Sequence, residues 1–253
     1  MTELIKSHVQ GYARKDGVYV KPHERKDNGK ALAYQKPVQH HPQLSEDGKK
    51  VAIHKPSTPS ASSTWHNPKA VATFVPDGDS PMSINGIPIR RWRDHPHTVE
   101  GWEFVDGVNE SLREPPLILP PGKGASSGVI IEESDGRVWV IHPTNKFGGY
   151  SVSFPKGSAE PELSLQANAI KEAFEESGLQ VEIVGHIGDF ERTTSVARMY
   201  RARRVGGDPT ASGWESQAVS LVPKEKLHEI LNMWPDHLVA ESIGAGKAPS
   251  KKE

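Results

Sequence analysis

Between Ser164 and Gly178 the chain reads SLQANAIKEAFEESG, and few stretches of this length leave a fold so little freedom. A serine that can accept hydrogen bonds from first-turn amides opens it. A glycine suited to a left-handed exit closes it. Ala167, Ile170 and Phe174 recur at i, i+3 and i+7, so the spacing predicts one amphipathic helix with a single buried stripe. At about 100° per residue, Glu172, Glu175 and Glu176 then gather within about 100° of one another, roughly opposite that stripe. Like charges at i, i+4 cost about 0.2–0.5 kcal/mol, and acidic side chains near a helix C-terminus oppose its dipole. Only Lys171 stands beside them with the opposite sign. A solvated face usually mixes charge signs, whereas a bound cation would supply the missing counter-charge. Hard carboxylate oxygens select Mg²⁺ or Mn²⁺, and Mg²⁺ usually shares its shell with substrate phosphates. Charge geometry alone leaves both readings open, the solvated face and the metal site.

The flanking pattern predicts a mixed-sheet α/β/α sandwich over residues 120–240. Val129–Ile131 and Val138–Ile141 bracket Ser134-Asp135-Gly136, a hairpin signal. Tyr150–Phe154 reads as a third strand, Val181–Phe190 and Thr193–Val205 as longer ones, and Ala218–Val222 as another. Lys224–Trp234, with Leu227, Ile230, Leu231 and Trp234 at helical spacing, is expected to close the domain as one helix. Strands on both sides of a central helix with a second helix at the end give the sandwich. The strand carrying Arg198, Arg201, Arg203 and Arg204 is expected to be a solvated or edge strand protected by charge. The competing reading is contact with a highly phosphorylated substrate.

The rest of the chain is less constrained. Residues 1–60 hold 11 lysines and arginines against 6 acidic residues and few large aliphatics, which predicts a disordered basic arm and linker through residue 65. Within it, Asp16-Gly17 between Tyr12 and Val18-Tyr19-Val20 suggests a small hairpin. Residues 66–119 read as a small β-rich extension, with Trp92, Trp102 and Phe104 as core anchors. His95-Pro96-His97 has no third partner in sequence and is a weak metal signal. Glu114–Ser127, dense in Pro and Gly, reads as a boundary, and residues 241–253 as a disordered tail. The absence of cysteine excludes disulfides and thiolate metal sites. A net charge of −1 gives no general pull toward nucleic acid or membrane. With no run of 18 apolar residues, the expectation is a cytoplasmic protein without a membrane span or a specific nucleic-acid partner. Its expected partner is a small phosphorylated molecule, and a homodimer is compatible.

The longer spacing carries a resemblance. Gly157, Glu172, Glu175, Glu176, Gly178 and Leu179, with Phe154-Pro155-Lys156 at the entry, resemble the Nudix box, G-x5-E-x7-R-E-U-x-E-E-x-G-U with U aliphatic. Ala173 stands acceptably at a U position. Leu163 stands where the first box glutamate belongs, and Lys171 replaces the arginine. Lysine keeps the charge and loses the bidentate fork. Leucine can neither ligate nor accept a proton, and the adjacent Glu162 is the available substitute.

The resemblance implies a Nudix-like fold and an Mg²⁺-dependent pyrophosphohydrolase acting on a nucleoside-diphosphate-linked or related polyphosphate substrate. Glu172, Glu175 and Glu176 would hold the metal. Lys156, Gly157 and Lys171 would serve the phosphates and the approach of the loop. Glu215, in the loop before the last strand, is the candidate base outside the box, with Glu191 a weaker one. The competing reading is a catalytically weakened binding module whose N-terminal arm docks a partner.

Overall fold

A computed structural model describes residues 38–250 throughout, and before them only the backbone of four short strands. These are β1 (Lys6–Val9), β2 (Tyr12–Ala13), β3 (Tyr19–Val20) and β4 (His23–Lys26). They pair antiparallel as β1 with β4 and β2 with β3, two nested hairpin rungs. The expected pairing of Tyr12 with the Val18–Val20 stretch appears as Tyr12 opposite Val20, while the Asp16-Gly17 turn lies outside the described residues. This N-terminal unit ends at Val38, and a second compact unit begins at Gln39.

The second unit opens with β5 (His40–Leu44), β6 (Lys50–Ala52), β7 (Ala72–Phe74), β8 (Ser83–Ile84), β9 (Ile87–Pro88) and α1 (Val99–Glu103). It continues with β10 (Gly124–Glu132), β11 (Arg137–Pro143), β12 (Lys156–Ser158) and α2 (Leu165–Ser177). β13 (Leu179–Glu191), β14 (Ser195–Gly207), β15 (Ser216–Pro223), α3 (Leu227–Ile230) and α4 (Trp234–Ser242) complete it. The main sheet runs β13-β14-β10-β11-β15-β7, with β12 also paired to β10. It is mixed, because β10 and β14 are parallel while the other pairs are antiparallel.

Period-two alternation sorts the strand side chains onto two faces. Val129, Ile131, Trp139, Tyr200 and Leu221 pack against Ala167, Ile170 and Ala173 of α2. Ile130, Val138, Val140 and Met199 pack instead against Leu227, Leu231, Val239 and Ala240. The expected sandwich is therefore present.

Several expectations are corrected. The hairpin arms β10 and β11 are paired in register only at Glu132 opposite Val138. Beyond that point the segment 153–158 wedges between them, Ser153 bridging Ile141 and Lys156–Ser158 pairing with β10. Tyr150–Phe154 is thus not a full strand. The expected single closing helix is broken after Ile230 and restarts at Trp234, where Pro235 suits a first turn. Phe104 is exposed, so only Trp102 and the half-buried Trp92 anchor the core.

The basic strand β14 lies inside the sheet and not at its edge. Arg198 and Arg204 are buried, Arg198 against Asp189 at 2.8 Å and Glu114 at 3.0 Å, Arg204 against Glu133. Arg201 pairs with Glu132, and Arg203 with Glu182 at 2.6 Å. Every guanidinium of the strand has an acidic partner, Arg198 and Arg204 in the interior and Arg201 and Arg203 at the surface, which leaves little uncompensated positive charge for a polyphosphate. β13, the edge strand beside β14, carries three register shifts, a common protection for an edge.

The expected boundary at residue 65 also moves. His41, Val51 and Ile53 are buried, and Gln217 exchanges hydrogen bonds with His54 and Lys55. Residues 66–119 do not form a separate extension, since β7 extends the main sheet and Trp102 sits in its core. At the other end Ile243 and Ala245 are buried, so the packed fold continues past residue 241. Among the described residues no helix is long and apolar enough to cross a membrane.

Candidate active site

Helix α2 begins and ends where its sequence requires. Ser164 Oγ accepts from Ala167 N at 3.2 Å, and Gly178 takes φ +70° while its N–H donates to Phe174 O at 2.7 Å. The segment that wedges between β10 and β11 runs against the carboxylate face of this helix. Lys156 N–H donates to Glu176 Oε2 at 2.7 Å. Gly157 faces Glu172 so closely that a Cβ there would fall inside the carboxylate's van der Waals envelope. Gly213 N–H donates to Glu175 O at 2.7 Å, seating the loop that carries Glu215 on the last turn of the helix.

Burial, then repulsion from Glu175, push the Glu172 carboxyl up to about 8. Glu176 is buried and is raised well above the usual carboxylate range by desolvation and by Glu172, against the opposing pull of Lys156. Glu215 keeps solvent contact, yet partial desolvation and repulsion from Glu175 and Glu46 raise it as well. The site is short of positive charge.

Lys171 relieves it only in part. Its Nζ lies 2.7 Å from Glu175 and 2.9 Å from Glu160, and it is held protonated by both against the cost of its own burial. Lys156 Nζ sits over the Tyr150 ring, 4.6 Å from its centroid. Tyr150 OH in turn accepts from Arg192 at 3.0 Å, and Arg192 pairs with the buried Asp236 at 2.8 Å.

The structure thus brings together Lys156, Gly157, Lys171, Glu172, Glu175, Glu176 and Glu215. The three helix carboxylates share a face without sharing a point. Among the described residues no three His, Asp or Glu side chains converge into a ready metal cage. Two of the carboxylates are occupied elsewhere, Glu175 by Lys171 and Glu176 by the Lys156 amide, as repelling groups without a counter-ion should be. Glu191 instead pairs with Lys123 at 2.9 Å.

Leu163 is 8 % exposed and belongs to the core cluster beneath α2. Glu162 is exposed and makes no hydrogen bond or ion pair among the described residues. The carboxylate that meets Lys171 is Glu160, whose amide donates to the buried Asn168 Oδ1 at 3.0 Å. Sequence reasoning missed Glu160 because it counted positions along the motif, while the loop is fixed by Asn168 and Ser127. It missed Glu46 because that residue lies in a segment expected to be disordered.

With this geometry in view, residues 122–241 match the NUDIX domain family model. A "MutT-like protein" from Streptomyces ambofaciens is 29 % identical over 130 residues, covering 50 % of this chain and 82 % of that protein. Among solved structures, a NUDIX hydrolase from Nitrosomonas europaea superposes with TM-score 0.43 and 16 % identity, over 51 % of this chain and 93 % of its own. An Ap4A hydrolase from C. elegans gives 0.41 and 16 %, over 48 % and 96 %. Residues 122–241 are a Nudix domain, and that domain belongs to the Nudix hydrolases, which act on phosphoric anhydride bonds.

Proposed function

We propose that this domain is an Mg²⁺- or Mn²⁺-dependent pyrophosphohydrolase of a nucleoside-diphosphate-linked substrate. One observation carries the reading. The half-buried Glu172 and the buried Glu176 lie one turn apart on α2 with both carboxyls pushed upward, an arrangement that costs stability unless a cation joins it. The donor set fits a hard divalent ion, being all carboxylate oxygen, and Gly157 leaves the space beside Glu172 free of a side chain. Glu172 and Glu176 would hold the ion, and Glu175 would join them by exchanging Lys171. Such an ion, once bound, neutralises diphosphate charge and lowers the pKa of the water it carries.

The chain's own groups supply the rest. Lys156 adds positive charge on the side of Glu176, and its amide fixes that carboxylate. Glu215 would take the proton of the attacking water, a role its upward-shifted carboxyl and its loop seated on the end of α2 support. The second reading, a catalytically weakened binding module, draws on the lack of a preassembled cage among the described residues.

A panel of ADP-ribose, NADH, diadenosine polyphosphates, nucleoside triphosphates and diphosphoinositol phosphates, assayed with Mg²⁺ and Mn²⁺, separates the two. Hydrolysis that EDTA abolishes is expected. Glu176→Gln is expected to lower kcat by at least about 100-fold with no loss of Tm in the metal-free protein. Inactivity on every substrate, with no metal binding by calorimetry, leaves only the module.

A further inference from the structure

Beside Lys171 and Glu175 the surface opens into a cavity of about 300 Å³, at the small end of the range for small-molecule sites. Its other walls are His95, His97, Val99, Trp102 and Phe174. All but Phe174 precede residue 122, so the segment that matches the Nudix family does not supply them.

The walls are built as a unit. Trp92 meets both Trp102 and Phe174 edge-on, at 5.8 and 5.2 Å between centroids. His95 lies 4.4 Å from Phe174 and 4.3 Å from His97. Thr98 caps α1 by accepting from Gly101 N at 3.0 Å, and Glu103 accepts from Ser164 N at 2.6 Å, which ties this helix to the start of α2. The ionic rim does not suit an anion. Lys171 already serves two carboxylates, so Lys171, Glu160 and Glu175 together carry a net negative charge.

We infer that this cavity is the subsite for the uncharged planar ring of the substrate, a nucleobase, seated against His95, His97 and Phe174. The inference rests on the proposed hydrolase reading for the rest of the substrate. The diphosphate lies toward Glu172 and Glu176, and Glu175 borders both compartments.

AMP and ribose 5-phosphate share a phosphate and differ in the ring, so they are the probes for the full-length protein. Titrated against tryptophan fluorescence, AMP quenches saturably and ribose 5-phosphate does not. Base stacking is worth about 1–3 kcal/mol, so His97→Ala, an exposed position, weakens AMP binding about tenfold. Phe174→Leu gives the same direction, with thermal melts confirming the fold of each variant. Equal response to the two probes, or AMP binding unchanged in both variants, overturns the inference even where hydrolysis is intact. AMP binding that depends on His97, in a protein that hydrolyses nothing, supports the subsite and sinks the hydrolase reading instead. Quenching by choline but not by AMP also overturns it, because it would make the cavity a cation cage.

Discussion

Leu163 shows how one position can break a motif and still serve the fold. The family pattern places a carboxylate there, while this chain buries a leucine among the side chains under α2. Restoring the glutamate should therefore damage the protein and not improve it. Leu163→Glu removes a buried aliphatic and places a carboxylate in its stead, which costs at least about 3 kcal/mol. The expected drop in Tm is about 6–12 °C by calorimetry, with no gain in turnover per folded molecule, while Leu163→Met should stay within about 1.5 kcal/mol. His142 gives a second prediction at this scale. Its Nε2 lies 2.8 Å from Ser220 Oγ, and burial lowers its pKa to about 4. Between pH 6.5 and 4 the unfolded chain takes up a proton that the folded one refuses, so this residue's share of stability is lost as pH falls through that window. The loss reaches about 3 kcal/mol by pH 4. Glu172 and Glu176, raised in the fold, act with the opposite sign in this range. The share is therefore read in urea unfolding from pH 7 to 4.5 as the difference between the protein and His142→Gln, which should shrink as pH falls.

Helix α2 was legible to its ends because every rule that acts on it is local: a serine cap, a helical stripe and a glycine exit. The carboxylate face was legible for the same reason. What sequence could not give was which partners each carboxylate meets, since the 153–158 wedge and the Glu160 loop are set by contacts with strands far along the chain. The arginines of β14 were half read: Arg201 and Arg203 are solvated as expected, while Arg198 and Arg204 are buried, because alternation assigns faces but only tertiary packing says whether a face is wet. Gly178 tests how far local rules reach. Its φ of +70° asks for glycine, and a Cβ there would also meet the backbone of Asp208 at 2.2 Å and of Ala211 at 3.1 Å. Gly178→Ala should cost about 2–4 kcal/mol in urea melts, through the left-handed conformation and the clash together. Asparagine tolerates the conformation but not the contact. Gly178→Asn should therefore rescue little, and a full rescue would show that conformation alone selects the glycine.

For the whole molecule the composition of the first 65 residues gave the wrong division. Low hydrophobicity argues against an independent core, but it does not stop a polar segment from docking on a core that already exists. Residues 39–65 do this with few apolar groups. Val51 and Ile53 are buried, and Trp65 stacks on Phe74 at 6.5 Å. The fully buried Arg137 guanidinium donates to Thr64 O at 3.2 Å and Trp65 O at 2.7 Å. Asp135 is its other partner, 2.7 Å away. Two truncations should then behave differently. Removing residues 1–38 takes away a unit that is compact by itself, and the remaining 39–253 should keep its Tm within about 2 °C. Removing residues 1–65 exposes the sites of Val51 and Ile53, each worth about 1.5–3 kcal/mol, and leaves Arg137 without two acceptors at about 1.5–3 kcal/mol apiece. Together these approach the whole stability of an ordinary domain, about 5–15 kcal/mol. The 66–253 protein should melt without cooperativity or fail to fold, as circular dichroism and urea titration would show. A disordered arm through residue 65 requires the opposite, two truncations with the same Tm, so the shorter protein decides where the folded molecule begins.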